Sequence, residues 1–328
     1  MLCPAAWDEF CYRAHDKILK GDSRVMQDCC RSYASVKLDI NNVLYNEPMK
    51  NHTSFKLGGP ADIFIEPDNR SELAKTIRSL REHTIPYYII GNGSDLLVSD
   101  KGFRGAIVKI GEKFGSVNID KEKIIAECGI LLSTLSKMAA KSNLTGMEFA
   151  SGIPGALGGA LTMNAGAYGG EMKDVIEWVE VLDQDLQLKR LQNTEMEFGY
   201  RKSVVEPRNY IVIRCCIRLK KGNPEEINSR MAELTEKRRS KQPLHLPSAG
   251  STFKRPKGYF AGKLIEDAGL RGFSLGGAQV SSLHCGFVVN NGDATARDVY
   301  DLIKHVQKTV FEKFNVKLET EVKMLGEF

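Results

Sequence analysis

Three short segments place reactive side chains among small residues: Arg201 in FGYRKS, Ser251 in AGSTFKRP and Glu321 in LETEV. A fixed cation, a hydroxyl group and a carboxyl group are side chains that can bind anions and transfer protons. Each residue also has an ordinary interpretation. Arg201 could be a surface cation, Ser251 a helix cap or turn residue, and Glu321 an exposed strand acid. Residue type alone therefore leaves their roles open.

Two glycine-rich loops indicate a ligand that carries phosphate. The first is GNGSD at residues 91–95, which follows an apolar run, and the second is the long stretch 146–171, which contains Pro154. Bare amide groups in such loops can hold a pyrophosphate without a cationic side chain. The alternative is a tight helix–strand crossing packed through small residues. Neither loop ends in Gly-Lys-Ser/Thr and no GxGxxG is present, so both familiar nucleotide fingerprints are excluded. The two glycine-rich loops together predict one extended ligand with a diphosphate, which the loops bind from two sides.

Composition limits the classes of partner. The chain has 328 residues, 27% charged and 42% hydrophobic, with a net charge of +5, which is typical of a globular protein with two or three domains. The basic run 237–241 could meet a phosphate or simply be a solvated helix end. The absence of an aromatic-interleaved basic surface argues against nucleic acid, and no apolar run reaches membrane-spanning length.

Cysteine usage favours a reducing compartment. The eight cysteines form no CxxC and no spacing typical of zinc, so we expect no metal site and a cytoplasmic location. We see no signal peptide in the first residues. Residues 1–35 differ from the rest and are interpreted as an N-terminal extension, with Met26 as an alternative start.

Helical and strand patterns alternate without strict βαβ repetition, which predicts an α+β fold. Leu73, Ile77 and Leu80 share one face of a helix over 69–83, with Asn69 as its cap and Glu72 completing a capping box. Further helices are predicted at 131–141, 224–241, 261–268 and from residue 295, where an apolar stripe ends at Phe314. Strands are predicted at 61–66, 87–90, 106–110, 124–127, 175–182, 186–191, 210–219, 286–290 and 318–325. The segment 242–250 is the best domain linker.

Seven motifs occur in this order: NHTSFKLGGPAD, GNGSDLL, SGIPGALGGALTMNAGAYGGE, FGYRKS, PSAGSTFKRP, GGAQVSSLHCGF and ETEV. Together they resemble the UDP-N-acetylenolpyruvoylglucosamine reductase family, in its shorter subtype, over residues 36–328. The resemblance implies an FAD-binding region of the vanillyl-alcohol-oxidase (PCMH) type at 36–240, with subdomains of 36–107 and 108–240. A substrate-binding α+β domain at 241–317 and a terminal strand at 318–328 that returns to the active site would follow.

The implied activity is the NADPH-dependent reduction of UDP-N-acetylglucosamine enolpyruvate to UDP-N-acetylmuramate through non-covalent FAD, in peptidoglycan precursor synthesis. By the same resemblance Arg201 grips the substrate carboxylate, Ser251 donates a proton, and Glu321 acts as an acid with a raised pKa. Residues implied to bind FAD are Gly91, Asn92, Gly93, Ser94, Asp95, Gly152, Ile153, Pro154, Gly155, Gly158 and Gly159, and residues 53–59 are expected nearby. Residues implied to bind substrate are Tyr200, Tyr168, Lys254, Arg255 and Gln279. The protein is expected to act as a monomer.

Two other functions remain open beside this one. The first is an FAD-dependent oxidase of the same fold, which would use oxygen and oxidise another sugar or alcohol. The second is a protein that binds a flavin or a nucleotide sugar without catalysing a reaction. Two residues depart from the family pattern: Asp95 replaces the usual Asn, and Leu283 replaces a usual Lys. An extra carboxylate at Asp95 is expected to lower FAD affinity unless it points away from the diphosphate.

Overall fold

The computed structural model of the protein describes residues 32–328. The predicted extension therefore lies almost wholly outside the described residues, together with Met26, Cys3, Cys11, Cys29 and Cys30. Helices in the described chain are α1 Arg70–Glu82, α2 Leu132–Lys141, α3 Leu157–Thr162, α4 Pro224–Lys241, α5 Ala261–Asp267 and α6 Ala296–Phe314. Short 3₁₀ turns lie at Met49–Asn51, Glu112–Phe114, Glu148–Ala150, Met172–Asp174 and Asn193–Met196.

The strands alternate with these helices. The first nine are β1 Val43–Pro48, β2 Pro60–Ile65, β3 Tyr87–Ile90, β4 Leu96–Val98, β5 Phe103–Lys109, β6 Val117–Asp120, β7 Lys123–Glu127, β8 Leu144–Thr145 and β9 Gly166–Ala167. The others are β10 Gly170–Glu171, β11 Ile176–Leu182, β12 Leu188–Gln192, β13 Ile211–Arg218, β14 Lys220–Lys221, β15 Ser274–Leu275, β16 Ala278–Val280, β17 Val288–Asn290 and β18 Lys323–Leu325.

Twelve of these strands form three larger sheets, and the other six form two-stranded pairs. The first has the order β1-β2-β5-β3, with β5 parallel to β2 and β3. The second is antiparallel, in the order β12-β11-β13-β7-β6, and the third is the small antiparallel sheet β15-β16-β17. A mixed sheet and two antiparallel sheets, together with the helices, confirm the predicted α+β class.

The cores follow from side-chain alternation. In β2, Ile63 and Ile65 pack into a core shared by the first two sheets, whereas Phe64 packs into a second core on the opposite face. Successive side chains of a strand point to opposite faces, so a strand covered on both sides reads as a continuous apolar run. A third core holds the C-terminal sheet and α6.

The helix cap predicted for α1 is present in part. The Asn69 side chain accepts a hydrogen bond from the Glu72 amide at 3.1 Å, but the Glu72 carboxylate returns to Asp68 N instead of Asn69 N. The capping box was therefore only half right. In α6 Thr295 and Asp298 form a complete box.

Three expectations are corrected. The stripe of α6 is buried through Val310, but Phe314 is 37% exposed because the helix ends there at a left-handed Asn315. The terminal strand is shorter than predicted, since only Lys323–Leu325 forms ladder bonds. The predicted helices also omitted α3, which lies within the long glycine stretch.

Parallel pairing of two strands fixes the position of the C-terminal segment. Strand β18 pairs with β4, with Lys323 opposite Leu96, and Leu325 is buried in the second core. This pairing brings residues 321–323 beside the first glycine loop, which ends at Asp95. Among residues 32–328 no helix is both long and apolar enough to cross a membrane.

Candidate active site

A cavity of about 470 Å³ lies between the two glycine loops, the FGYRKS turn and the terminal strand. Its volume falls within the range of about 300–1,000 Å³ that ligand pockets usually have. Its lining comprises residues 87–96, Ile110, Cys128, Ile153, Gly155, Ala156, residues 158–160, Thr162, Met163, Ala165, Arg201, Lys202, Val205, Glu206, residues 209–212, Lys254, Glu321 and Lys323. One end is apolar and backbone-rich, and the other end carries the charged side chains.

The two glycine loops are joined directly. The Asn92 side-chain amide donates to the Pro154 carbonyl at 2.6 Å, and the Gly93 carbonyl accepts from Ser54 N at 3.1 Å. Gly93 has φ +60, and a Cβ there would clash with the carbonyl of His52. The predicted segment 53–59 therefore supports the first loop from behind, outside the cavity lining.

The backbone surface fits a flavin dinucleotide. A Cβ on Gly159 would meet no atom within 4 Å, so that position faces open space, while a Cβ on Gly91 would come within 3.0 Å of Ala156. Bare main chain that faces a cavity from two sides suits a pyrophosphate, since amides can approach it closely. Of the residues implied to bind FAD, Gly152 and Pro154 lie outside the lining, and the others line the cavity.

A strained turn presents Arg201. Gly199 and Lys202 exchange backbone hydrogen bonds of 3.0 and 3.3 Å, and Arg201 has φ 54 at the third position of this turn. That conformation favours glycine, so an arginine here costs free energy, and such strain is most often found at functional sites. Ser203 anchors the turn by donating to the Thr162 carbonyl at 2.7 Å, and Asn164 donates to the Gly199 carbonyl at 3.0 Å.

Arg201 and Glu321 form a close ion pair at the charged end of the cavity. Arg201 Nε lies 2.6 Å from Glu321 Oε1, and the two side chains are 22% and 12% exposed. Burial raises the pKa of Glu321 above its ordinary range, although Arg201 and Lys254 oppose that rise. The direction agrees with the raised pKa expected for Glu321, because desolvation disfavours the charged carboxylate.

Asp95 shares this end of the cavity. Burial raises its pKa to about 8; the carboxylates of Glu321 and Glu206 add to the rise, and Lys323 and Arg201 oppose it. Asp95 is therefore mostly neutral at pH 7, and its expected repulsion of a diphosphate is much reduced. Lys323 lies 2.7 Å from Glu206, and both residues were missed by the sequence analysis. The signal for Lys323 was its place two residues after Glu321, since alternate residues of a strand share a face.

Ser251 lies beside the cavity and outside its lining. The segment that follows it pairs with the terminal chain, because Glu321 N donates to the Thr252 carbonyl and Lys254 N to the Glu319 carbonyl, both at 2.9 Å. The Ser251 side chain is exposed and makes no hydrogen bond with another residue of the described chain. Lys254 lines the cavity and pairs with Glu319 at 3.4 Å.

The other implied substrate residues surround the cavity at greater distance. The Tyr200 hydroxyl accepts from Arg255 N at 3.0 Å, and the Tyr200 ring lies 5.2 Å from the Arg201 guanidinium. Tyr168 is 40% exposed. The Gln279 amide donates to Gly272 O and Ser274 Oγ in the C-terminal sheet. The structure brings Tyr200 and Arg255 together but does not bring Tyr168 and Gln279 into the cavity.

Arg238 of the basic run is a half-buried cation. Its Nε donates to the Gln242 side chain at 2.9 Å, and it has no carboxylate partner in residues 32–328. Its guanidinium lies against Gly152, where a Cβ would crowd it. Burial lowers the pKa of Arg238, and Tyr168 opposes that change. An unpaired cation in this position is suited to an anionic ligand group.

The described part of the chain contains no evident set of ligands for a metal ion. No group of three or more His, Cys, Asp or Glu side chains converges there. Cys128, Cys215, Cys216 and Cys285 are buried free thiols, and burial raises the pKa of each of them.

Comparisons with known proteins agree with this geometry. A family model described as FAD binding domain matches residues 61–192, and one described as UDP-N-acetylenolpyruvoylglucosamine reductase, C-terminal domain, matches residues 242–325. A UDP-N-acetylenolpyruvoylglucosamine reductase from Alkaliphilus oremlandii is 55% identical over 87% of this chain and 94% of its own length. The one from Clostridioides difficile is 52% identical over 88% and 95%.

The fold gives the same answer. The crystal structure of UDP-N-acetylenolpyruvylglucosamine reductase from Thermus caldophilus superposes with a TM-score of 0.74 at 36% identity, covering 87% of this chain and 98% of that one. Sequence identity of this extent over nearly the whole length of the relatives, together with a shared fold and two glycine loops at one cavity, shows that the chain belongs to the UDP-N-acetylenolpyruvoylglucosamine reductase family.

Proposed function

We propose that this protein reduces UDP-N-acetylglucosamine enolpyruvate to UDP-N-acetylmuramate with electrons from NADPH, in peptidoglycan precursor synthesis. The observation that carries the proposal is the Arg201–Glu321 pair, which is held at the charged end of a cavity whose other end is bare glycine backbone. The residues of 36–240 would hold the cofactor and those of 241–317 the substrate, with the terminal strand completing the site.

FAD bound in the cavity supplies hydride chemistry that no side chain can perform. The first glycine loop, Gly91 to Asp95, would hold it together with Gly155, Gly158 and Gly159 of the second loop, and the Asn92–Pro154 hydrogen bond joins the two loops. Because that bond fixes one loop against the other, the diphosphate site is preorganised.

Arg201 binds the substrate carboxylate. Its guanidinium is permanently charged and its fork matches two carboxylate oxygens. As hydride adds to the terminal vinyl carbon, negative charge grows at the neighbouring carbon and on the carboxylate, and a fixed cation there lowers the barrier. Glu321 is paired with Arg201 before substrate binds. When the substrate carboxylate takes its place at the guanidinium, Glu321 would take up a proton and donate a hydrogen bond to the same oxygens, and burial favours this change because it raises the pKa of Glu321.

Ser251 donates the proton to the carbon next to the carboxylate. The O–H bond breaks as the new C–H bond forms, and solvent then returns a proton to the serine oxygen. The exposed position of Ser251 beside the paired terminal segment supports this role, because water can reach its hydroxyl.

The uridine diphosphate part of the substrate is assigned to cations and rings around the cavity. Arg238 offers an unpaired charge beside Tyr168, and Lys254 lines the cavity itself. The Tyr200 ring lies beside the Arg201 guanidinium, and the Tyr200 hydroxyl accepts a hydrogen bond from the backbone amide of Arg255. The remaining candidate, Gln279, would have to release its amide from Gly272 and Ser274 to bind substrate.

A half-reaction experiment tests the proposal. We expect the yellow protein to bleach anaerobically with NADPH and to recolour when the enolpyruvyl UDP-sugar is added. Ser251→Ala should bleach normally but lose about 10²–10⁴-fold in the recolouring rate, the usual contribution of a general acid. Ser229→Ala, at an exposed position of α4, is the matched control. If the reduced flavin recolours only when oxygen is added, the proposal is refuted and the protein is an FAD-dependent oxidase.

We further propose a cytoplasmic location, supported by the four buried free thiols and by a reaction that makes a cell-wall precursor. A monomeric state and the absence of a nucleic-acid partner stay predictions. Gel filtration with light scattering tests the first, and a nucleic-acid gel shift tests the second.

A further inference from the structure

Asp95 lines the cavity, and its carboxyl group has no bonding partner in residues 32–328. It makes no hydrogen bond or ion pair with any other side chain in residues 32–328. Its position is fixed by the main chain, because the Asp95 carbonyl accepts from Lys323 N at 3.0 Å and Lys323 lies opposite Leu96 in the β4–β18 pair. The carboxyl group is therefore held in place but left free to interact with what enters the cavity.

Of the six charged groups that line the cavity with Asp95, all but Lys202 form an ion pair within residues 32–328. They come from the terminal strand, the turn and the segments that flank it: Glu321, Lys323, Arg201, Lys202, Glu206 and Lys254. Arg201 is bound to Glu321 at 2.6 Å and Lys323 to Glu206 at 2.7 Å. Lys254 is bound to Glu319 at 3.4 Å. Ionised Asp95 would thus add a carboxylate whose neighbouring cations, Arg201 and Lys323, are both engaged.

We propose that Asp95 is a positioning residue that works as a neutral acid, and that loss of its proton weakens binding of the substrate carboxylate at Arg201. The inference rests on the function proposed above. A second negative charge beside the Arg201–Glu321 pair would compete for the guanidinium and would repel the incoming carboxylate. The same group in its acid form adds no charge and can donate one hydrogen bond.

The effect has a defined sign. Since the pKa of Asp95 is raised to about 8, the group is mainly protonated at pH 7 and mainly ionised at pH 9. If only the protonated form binds substrate well, KM for the enolpyruvyl sugar rises about tenfold between those two pH values, as expected for one ionisation. The dissociation constant of the enolpyruvyl sugar, measured by its perturbation of the oxidised flavin spectrum, should show the same step, because the ionised carboxyl group repels the substrate carboxylate directly.

The experiment uses the flavin-loaded enzyme and Asp95→Asn, which keeps the shape of the acid and cannot ionise. We expect the ratio of KM at pH 9 to KM at pH 7 to fall from about ten to near one in this variant. A ratio that stays near ten in Asp95→Asn overturns the proposal. Glu206→Gln provides a second test, because Lys323 is then free to stabilise charged Asp95. The step in KM should move to lower pH, and a step that stays in place also contradicts the assignment.

Infrared difference spectroscopy separates this inference from the proposed function. The spectrum of wild type minus Asp95→Asn should show a protonated carboxyl band at pH 7 that disappears at pH 10. An absent band refutes the neutral-acid role whether or not the enzyme turns over. If the band is present and the protein does not reduce the enolpyruvyl sugar at any pH, the proposed function fails while the protonation of Asp95 stands.

Discussion

Removing the charge of Arg201 is the most direct test of the site. In Arg201→Gln the 2.6 Å contact to Glu321 is lost, and Glu321, only 12% exposed, is left without its strongest partner. The pKa of Glu321 then rises further, because burial acts without the opposing cation. In this variant the substrate carboxylate would contact the glutamine amide and the protonated Glu321 instead of the Arg201 guanidinium.

The magnitude follows from what the guanidinium does. A hydrogen bond to a charged group contributes about 1.5–3 kcal/mol, and a donor aimed at developing negative charge about 2.7–4 kcal/mol. We therefore expect reduction of the enolpyruvyl sugar to slow by roughly 10²–10³-fold. Bleaching by NADPH should change little, since Arg201 acts on the substrate carboxylate.

Anaerobic stopped-flow absorbance measures the two half-reactions separately. Arg230→Gln is the control, because Arg230 is 45% exposed, pairs with the surface residue Glu233 of the same helix and lies outside the cavity lining. A loss of less than about tenfold in sugar reduction, or equal losses in both half-reactions, refutes the role assigned to Arg201.

Three other outcomes are expected. Gly93→Ala should destabilise the protein and reduce its flavin content, because the new Cβ clashes with the His52 carbonyl and the backbone has φ +60; normal flavin content would contradict this. Arg104→Ala should lower the free energy of unfolding in urea by about 3 kcal/mol, because fully buried Asp62 loses an ion pair of 2.7 Å. The apoprotein should lose stability as pH rises from about 4 to about 8, since Asp95 binds its proton more tightly when folded. Asp95→Asn should flatten that slope in urea titrations, and an unchanged slope would show that another group is responsible.

Local signals in the sequence were reliable where one element determines the outcome. The face of α1 formed by Leu73, Ile77 and Leu80 is buried as its period predicted, because a helix places those residues on one side. The limits of that approach appear at Phe314, where periodicity continued but the helix ended at Asn315. They also appear at Glu72, whose carboxylate accepts a hydrogen bond from the Asp68 amide and not from the Asn69 amide.

The sequence by itself determined the α+β class, the two glycine loops and the motifs that identify the family, because these depend on residue types over short spans. Only the tertiary structure decided which charges share the cavity. Arg201 and Glu321 lie 120 residues apart, and their contact exists because β18 pairs with β4 and a strained turn points the guanidinium inward. The raised pKa of Asp95 likewise depends on burial and on Glu321, which no local pattern contains.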